Sequence, residues 1–199
     1  MGSWVVVVLP GGGYGPLGAA LRFPVLVLSA AGADSVVAVE YPPRRGGDEE
    51  LLCPDLVSAV DSQIRSAVSG ARRITFVAKS LGTAALSRLD PRATAAAQVD
   101  AVWLTPLLML AEVRAGIAAR RSWRSLLVAG GSDPAHSPQR HEETRAALGC
   151  RSLVLVGANH ALEVPGDPPA SLDRLGLLTE AVTEFISGRH QPDQARSGA

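Results

Sequence analysis

The sequence of 199 residues has few lysines, aromatic residues and cysteines, and it has no net charge. Its 19 basic and 19 acidic residues balance, so it lacks the positive surface that nucleic acid or an anionic membrane would require. We therefore expect neither as a partner. Lys79 is the only lysine, and this preference for arginine, together with abundant Ala and Gly, is typical of a GC-rich bacterial coding sequence.

The sequence also lacks a long apolar run and any spacing of cysteines that is typical of a metal site. The apolar segment from Trp4 to Leu9 is too short for a signal peptide or a membrane span, so a cytoplasmic protein is expected. Cys53 and Cys150 are the only cysteines, and they are predicted to be free thiols. Neither a metal nor an organic cofactor is predicted.

Short runs rich in Val, Ile and Leu alternate with helical patterns along the chain. This alternation is typical of a parallel sheet covered on both faces, and right-handed βαβ connections then give a doubly wound α/β fold. With 47% apolar but only 4% aromatic residues, the core is expected to be aliphatic. Strands are predicted at 3–9, 35–41, 73–78, 100–105, 124–130 and 152–156, and helices at 17–31, 51–69, 81–90, 109–120, 138–148 and 171–187.

The length of the chain fits one domain better than two, and residues 1–187 are predicted to form it. The polar tail, residues 188–199, has no large apolar residue and is expected to be disordered. The connection after the fourth strand, from Thr105 to Met109, is too short to hold an inserted cap domain.

A candidate nucleophile follows the third predicted strand, which runs directly into AKSLG at residues 78–82 and then into a helix. This is the G-x-S-x-G pattern with alanine in place of the first glycine. In that pattern a sharp strand-to-helix turn strains the serine, and the residues two before and two after it must be small so that strand and helix can approach. The context predicts Ser80 as a nucleophile, with a plain strand-to-helix turn as the alternative.

A carboxylate and a histidine follow later strands at the same predicted edge of the sheet. GGSDP (130–134) comes after the fifth strand, and GANHALE (157–163) comes after the sixth. A serine nucleophile needs a histidine base that a carboxylate orients, and the carboxyl ends of parallel strands meet at one edge. The order Ser80, Asp133, His160 therefore predicts a catalytic triad, although an aspartate before proline is also typical of a plain turn.

With AKSLGT as nucleophile elbow, GGSDP as acid loop and GANHALE as base loop, the sequence resembles the α/β-hydrolase superfamily. It is similar in particular to compact serine hydrolases of the dienelactone-hydrolase type. The resemblance spans residues 4 to about 187 and lacks the first two strands of the larger superfamily fold. It implies a mostly parallel six-stranded sheet of order 2-1-3-4-5-6, with helices on both faces and no cap domain.

The glycine-rich segment LPGGGYGPLG, residues 9–18, faces Ser80 if the strands have this order. Backbone N–H groups of such a turn can bind a developing oxyanion together with the N–H of Leu81 at the start of the elbow helix. Gly12 is the expected donor, with Gly11 and Gly13 as alternatives. Superfamily members often have His-Gly at this turn, whereas this sequence has Pro-Gly, so the anchoring of the turn is left open.

The same segment also matches G-x-G-x-x-G, the dinucleotide-binding pattern, and Glu40 follows at the distance typical of a ribose-binding acid. Two features oppose this interpretation. Gly13 begins the pattern four residues beyond Leu9 rather than at the strand end, and Pro16 removes an N–H from the phosphate cradle. Nucleotide binding is therefore the weaker hypothesis.

Other residues near the predicted triad have two interpretations each. Some could line the substrate pocket, and for each of these a purely structural role is the alternative. Trp103, at the end of the fourth predicted strand, is expected to lie in the core. His136 shares a loop with Asp133 and is the alternative base. His141, on a predicted helix, and His190, in the tail, are expected to be solvated. The pocket candidates are Tyr14, Lys79, Leu107 and Met109.

The sequence thus predicts a serine hydrolase that cleaves a small-molecule ester, thioester or lactone through an acyl-enzyme on Ser80, with the acyl group free or presented by a carrier. His160 is the predicted base, and Asp133 orients it. A non-hydrolytic reaction at the same residues, such as a lyase or cyclisation step in natural-product metabolism, is the alternative, because fold does not fix function. A binding module with an inactive triad is the third hypothesis.

Overall fold

A computed structural model describes residues 3–41, 54–95 and 97–188. Its strands are β1 (Trp4–Leu9), β2 (Ser35–Ala38), β3 (Arg73–Lys79), β4 (Gln98–Leu104), β5 (Arg124–Gly130) and β6 (Arg151–Leu155). Its helices are α1 (Ala19–Ala30), α2 (Pro54–Ala67), α3 (Leu81–Ser87), α4 (Ala111–Ala118), α5 (Pro138–Leu148) and α6 (Pro168–Ser187). A short 3-10 helix at Pro91–Thr94 precedes β4.

The six strands form one parallel sheet in the order β2-β1-β3-β4-β5-β6, which confirms the predicted fold class and strand order. Residues 105–110 connect β4 to α4 and contain no helix or strand, so no cap domain is inserted there. No helix in the described part of the chain is long and apolar enough to cross a membrane.

Alternate residues of the central strands face opposite sides of the sheet, and each side has its own apolar core. In β1, Val5 and Val7 pack with residues of α2, α3 and α4, whereas Val6 and Val8 pack with residues of α1 and α6. Burial on both faces explains why the strands read as continuous apolar runs. Trp103 of β4 is fully buried, as expected.

The parallel register aligns the carboxyl ends of the central strands. Leu9 pairs with Ala78, and Gly130 pairs with Leu155. The loops that follow β1, β3, β5 and β6 therefore open at one edge of the sheet, where doubly wound folds bind their ligands.

Some element ends differ from the prediction. The edge strand β2 ends at Ala38 rather than at residue 41, since it pairs only with β1. Helix α6 begins at Pro168 rather than at residue 171, because Asp167 Oδ1 accepts the N–H of Ala170 at 3.0 Å and proline fits the first turn. The predicted helix start at 51–53, Cys53, His190 and the predicted tail from 189 onward lie outside the described residues.

The expectation that His141 is solvated is wrong. Its side chain is buried in α5, and neither ring nitrogen has a hydrogen-bond partner among the described residues. Burial lowers the pKa of His141 to about 4, so the ring is neutral at pH 7.

Cys150 is a free thiol, and burial raises its pKa to about 11, which suppresses the reactive thiolate.

Candidate active site

Ser80 lies in a strained turn between β3 and α3. Its backbone angles are φ 50° and ψ −112°, a region that residues other than glycine rarely adopt. The N–H of Ser80 donates to the carbonyl of Leu104 in β4 at 3.0 Å, so the strand ladder holds the turn in place. The serine is only partly buried and is presented at the carboxyl edge of the sheet.

The tight elbow requires glycine two residues after Ser80. A Cβ atom at Gly82 would lie 2.7 Å from the carbonyl carbon of Leu9 and closer still to its oxygen. Ala78, two residues before Ser80, is fully buried. Small residues on both sides of the serine therefore let α3 pack directly on the end of β1, for the steric reason that the sequence pattern indicates.

The side chains of Ser80, His160 and Asp133 form one hydrogen-bonded chain. His160 Nε2 lies 2.8 Å from Ser80 Oγ, and His160 Nδ1 lies 2.6 Å from Asp133 Oδ2. With its proton on Nδ1, the ring donates to the carboxylate, and Nε2 accepts from the serine hydroxyl. In this arrangement the histidine can remove the serine proton while the carboxylate stabilises the resulting imidazolium.

Asp133 is fixed by its own loop and by the adjacent histidine loop. Its side chain is almost fully buried, and Oδ1 accepts the N–H of Ala135 at 2.8 Å. The two loops meet closely at Gly130, where a Cβ atom would lie 2.5 Å from the carbonyl oxygen of Ala158. A glycine at the end of β5 thus allows the acid and the base to approach.

Asn159 shapes the loop that presents His160. Its Oδ1 accepts the N–H groups of Ala161 and Glu163 at 2.8 and 3.1 Å, and its own N–H donates to the carbonyl of Glu163 at 2.8 Å. Sequence reasoning assigned no role to this residue. Its position directly before the candidate base could have identified it, because asparagine side chains commonly form hydrogen bonds with the backbone of turns.

Lys79 lies beneath the histidine loop, not in an open pocket. Only 1% of it is exposed, and Nζ donates to the His160 carbonyl at 2.6 Å and to Thr105 Oγ1 at 3.0 Å. Nζ also lies 4.8 Å from the centre of the Tyr14 ring. Burial lowers the pKa of Lys79 to about 8, although the carboxylates of Asp133 and Glu163 oppose the shift.

The glycine-rich turn after β1 lies beside Ser80. Gly11 and Tyr14 exchange backbone hydrogen bonds of 3.2 and 3.4 Å, which leaves Gly12 and Gly13 at the tip. The N–H of Gly11 is therefore engaged. Within the described residues, no acceptor is bonded to the N–H groups of Gly12, Gly13 or Leu81. The geometry thus disfavours Gly11 as an oxyanion donor and leaves Gly12 and Leu81 available.

Two tyrosines anchor this turn, whose anchoring was left open by the sequence. The hydroxyl of Tyr41 donates to the carbonyl of Pro10 at 2.8 Å, and burial raises the pKa of Tyr41, so it remains a donor. The hydroxyl of Tyr14 accepts the N–H of Ala20 at 2.9 Å. Sequence reasoning missed Tyr41, which it treated as the last residue of the second strand.

Tyr14 also opposes the dinucleotide hypothesis. Its hydroxyl occupies the N-terminus of α1, where a pyrophosphate would have to bind. A Cβ atom at Gly18 would lie 2.6 Å from Tyr14 Cζ and closer still to Cε1, so the last glycine of the pattern makes room for the tyrosine. The spacing G-x-G-x-x-G therefore has a packing explanation here.

The other candidate residues lie around the elbow. Leu107 is half-buried against the apolar core on the side of the sheet that carries α2, α3 and α4, and its N–H donates to Thr83 Oγ1 at 3.3 Å. Met109, also after β4, is 40% exposed. The ring of His136 packs on His141 at 5.3 Å, and it is His160 that contacts Ser80 and Asp133. The described residues contain no cluster of three or more side chains that could hold a metal ion.

A parallel sheet of this strand order, with a serine at a strained strand-to-helix turn, defines the α/β-hydrolase fold, and the chain has that fold.

Individual solved structures of this fold match most of the chain. Est1E from Butyrivibrio proteoclasticus has a TM-score of 0.67 and 14% identity over 94% of this chain and 88% of its own. An alpha-beta serine hydrolase homologue from Coxiella burnetii has a TM-score of 0.63 and 14% identity over 92% of this chain and 85% of its own. The thioesterase domain from the curacin biosynthetic pathway has a TM-score of 0.58 and 12% identity, over 91% and 90%.

At these identities the similarity establishes the fold alone. No protein-family model matches the sequence, and no curated protein is significantly similar to it.

Proposed function

We propose that the protein is a serine hydrolase that cleaves an ester, thioester or lactone through an acyl-enzyme on Ser80. The observation that carries this proposal is the unbroken hydrogen-bonded chain from Ser80 Oγ through His160 to Asp133. These three residues meet at a strained strand-to-helix turn, and a serine, histidine and aspartate bonded in this order serve nucleophilic catalysis.

In the proposed reaction His160 removes the Ser80 proton as Oγ attacks the carbonyl carbon. The bond between that carbon and the leaving oxygen or sulfur then breaks, and His160 returns the proton to the leaving group. Water, with His160 again as base, cleaves the acyl-enzyme. Asp133 orients the ring and stabilises the imidazolium. The reaction uses no metal or organic cofactor.

The oxyanion of the tetrahedral intermediate is proposed to bind two backbone N–H groups, those of Gly12 and Leu81. Both groups lack an acceptor among the described residues; Leu81 directly follows Ser80, and Gly12 directly follows Gly11, which lies beside Ser80. The first N–H groups of a helix have no partner within that helix, and the helix dipole favours negative charge there. Preorganised donors of this kind stabilise charge that develops in the transition state.

The fold comparisons support a hydrolase that acts on acyl groups. One similar structure is described as a serine hydrolase homologue, and another is a thioesterase domain. An ester and a thioester differ only in the leaving atom that His160 must protonate, so the same residues serve both reactions.

The proposal is tested by the turnover of p-nitrophenyl acetate and of an acetyl thioester. Ser80→Ala is expected to lower kcat/KM by at least about 10³-fold, because it removes the nucleophile. Ser29→Ala, which changes an exposed serine at the end of α1, is the matched control and should retain wild-type activity. His160→Gln should be as inactive as Ser80→Ala, whereas His136→Gln should remain active.

Equal activity of the wild type and Ser80→Ala would contradict the proposal. Labelling of Ser80 by a fluorophosphonate, with no turnover of any ester or thioester, would favour a non-hydrolytic reaction at the same residues.

A further inference from the structure

A cavity of about 450 Å³ opens beside the triad. It lies between Tyr14 of the glycine-rich turn and the segment that follows His160, and the triad residues themselves do not line it. Tyr14 forms one wall. A Cβ atom at Gly11 would lie 3.2 Å from Tyr14 Cβ and 3.5 Å from Ser80 Cβ, so the side chains of Tyr14 and Ser80 both start beside Gly11. Ala161, the residue after His160, begins the other wall.

The cavity continues as a groove along the surface between α1 and α6. A second depression, of about 510 Å³, runs past Phe23 and Thr179, and the two share Leu172 and Leu175 as lining residues. We call the two together the α1–α6 groove. Leu172, at the junction, is 69% exposed, and Phe23 is 39% exposed. Apolar side chains that are this exposed along a concave surface are typical of a binding site.

The charges along the groove determine what can bind there. Glu163 and Asp167 line the cavity, and Glu180 and Glu184 line its continuation, whereas none of the lining residues is Lys, Arg or His. Glu184 is paired with Arg151 at 2.6 Å, whereas Glu163, Asp167 and Glu180 form no ion pair among the described residues, so a carboxylate or phosphate in the groove would face three unpaired carboxylates. The groove therefore fits an apolar chain without negative charge.

We propose that the α1–α6 groove binds a neutral apolar chain of the substrate, so that the protein acts on esters or thioesters of medium-chain aliphatic acids or alcohols. This inference rests on the proposed serine hydrolase function, because Tyr14 and Ala161, which line the near end of the groove, belong to the turn beside Ser80 and to the loop that holds His160. The apolar part of the substrate lies against Tyr14 and Ala161 near the carbonyl carbon, and its far end packs on Leu172 and Leu175.

The test uses two series of esters. One series lengthens the acyl chain, from p-nitrophenyl acetate to the octanoate, and the other lengthens the alcohol, from ethyl to octyl acetate. In one of the series kcat/KM is expected to rise about twofold to fourfold per CH₂, because each methylene leaves water on binding. p-Nitrophenyl hydrogen suberate, with a carboxylate at the chain end, should react at least about tenfold more slowly than the octanoate.

Leu172→Asp places a charge at the junction of the groove and is expected to abolish the rise of kcat/KM with chain length. Leu177→Asp is the matched control, because Leu177 is an exposed leucine on the same helix and does not line the groove. This variant should keep the chain-length dependence of the wild type. Circular dichroism and thermal unfolding check that both variants are folded.

The two possible failures are distinguishable. Absence of Ser80-dependent acetate turnover would contradict the proposed function. Acetate turnover with flat chain-length profiles in both series, or a rise that Leu172→Asp leaves intact, would overturn the groove alone.

Discussion

Each end of the parallel sheet has one charged strand residue that is fully buried, but the two ends satisfy the charge in different ways. At the amino end, Asp100 of β4 is fully buried and receives hydrogen bonds from two arginines. Arg73 Nη2 lies 2.8 Å from Oδ2, and Arg124 Nε lies 2.8 Å from Oδ1. At the carboxyl end, Lys79 of β3 is equally buried, and its partners are the neutral oxygens of His160 and Thr105.

The two ends of the sheet also differ in backbone strain. All the described residues other than glycine that have positive φ lie in loops at the carboxyl edge: Ser80, Thr105 and Leu162, at 50°, 41° and 66°. Strain and an unpaired buried charge both cost stability, and they persist only where the surroundings impose them. The comparison indicates that the amino end holds the strands together, whereas the carboxyl end holds reactive groups in a fixed geometry.

The largest expected effect is that of Asp133→Asn at the carboxyl end. An amide cannot stabilise the imidazolium and favours the wrong tautomer of His160, so kcat/KM should fall by about 10⁴-fold. The free energy of unfolding should change by less than about 1.5 kcal/mol, since the amide oxygen can still accept the N–H of Ala135. Ester turnover and urea unfolding measure the two quantities. Full activity in this variant would refute the role of Asp133.

The same substitution at the amino end should have the opposite consequence. Asp100→Asn leaves Arg73 and Arg124 close together without their counter-charge, and it should lower the free energy of unfolding by about 3 kcal/mol. The folded fraction should keep its kcat/KM within about twofold. An active-site defect at unchanged stability would show that the two ends are not separate in function.

An effect of similar size, spread over a range of pH, is a pH dependence that belongs to Lys79. Burial gives the folded state a pKa of about 8, against 10.5 for an unperturbed lysine. Between these values the unfolded chain binds a proton that the folded chain does not, so the stability of the wild type rises with pH. Below pH 8 both states are protonated, and this contribution is constant.

Lys79→Met removes that titration and nearly conserves the volume of the side chain. The stability of the wild type relative to the Met variant should rise by about 3 kcal/mol from below pH 8 to above pH 10.5. Chemical unfolding at a series of pH values measures this difference, in which the other titrating groups cancel. Parallel profiles of the two proteins would show that Lys79 is not desolvated in the folded state.

The strand order followed from the resemblance to α/β hydrolases, whereas the places of Ser80, Asp133 and His160 followed from local patterns, because each lies in the segment that follows an apolar run. The need for small residues around Ser80 was also predicted from the sequence pattern, and the close packing at Gly82 agrees with it. Contacts across long stretches of sequence could not be predicted. The Lys79–His160 bond joins residues 81 positions apart, and Tyr41 reaches Pro10 across 31 positions.

The burial of His141 was missed for a related reason. Helix α5 is largely polar, so its sequence gave no apolar face that would mark the histidine as internal. Its exclusion from water depends on packing in the folded protein, including the His136 ring, and not on the local pattern.

The most direct test of the central claim is to locate the covalent adduct after reaction with a fluorophosphonate. Intact-mass and peptide mass spectrometry should show one adduct, on Ser80, which forms slowly or not at all in His160→Gln. Reaction at another residue, or labelling of Ser80→Ala at the wild-type rate, would contradict the assignment of Ser80 as the nucleophile.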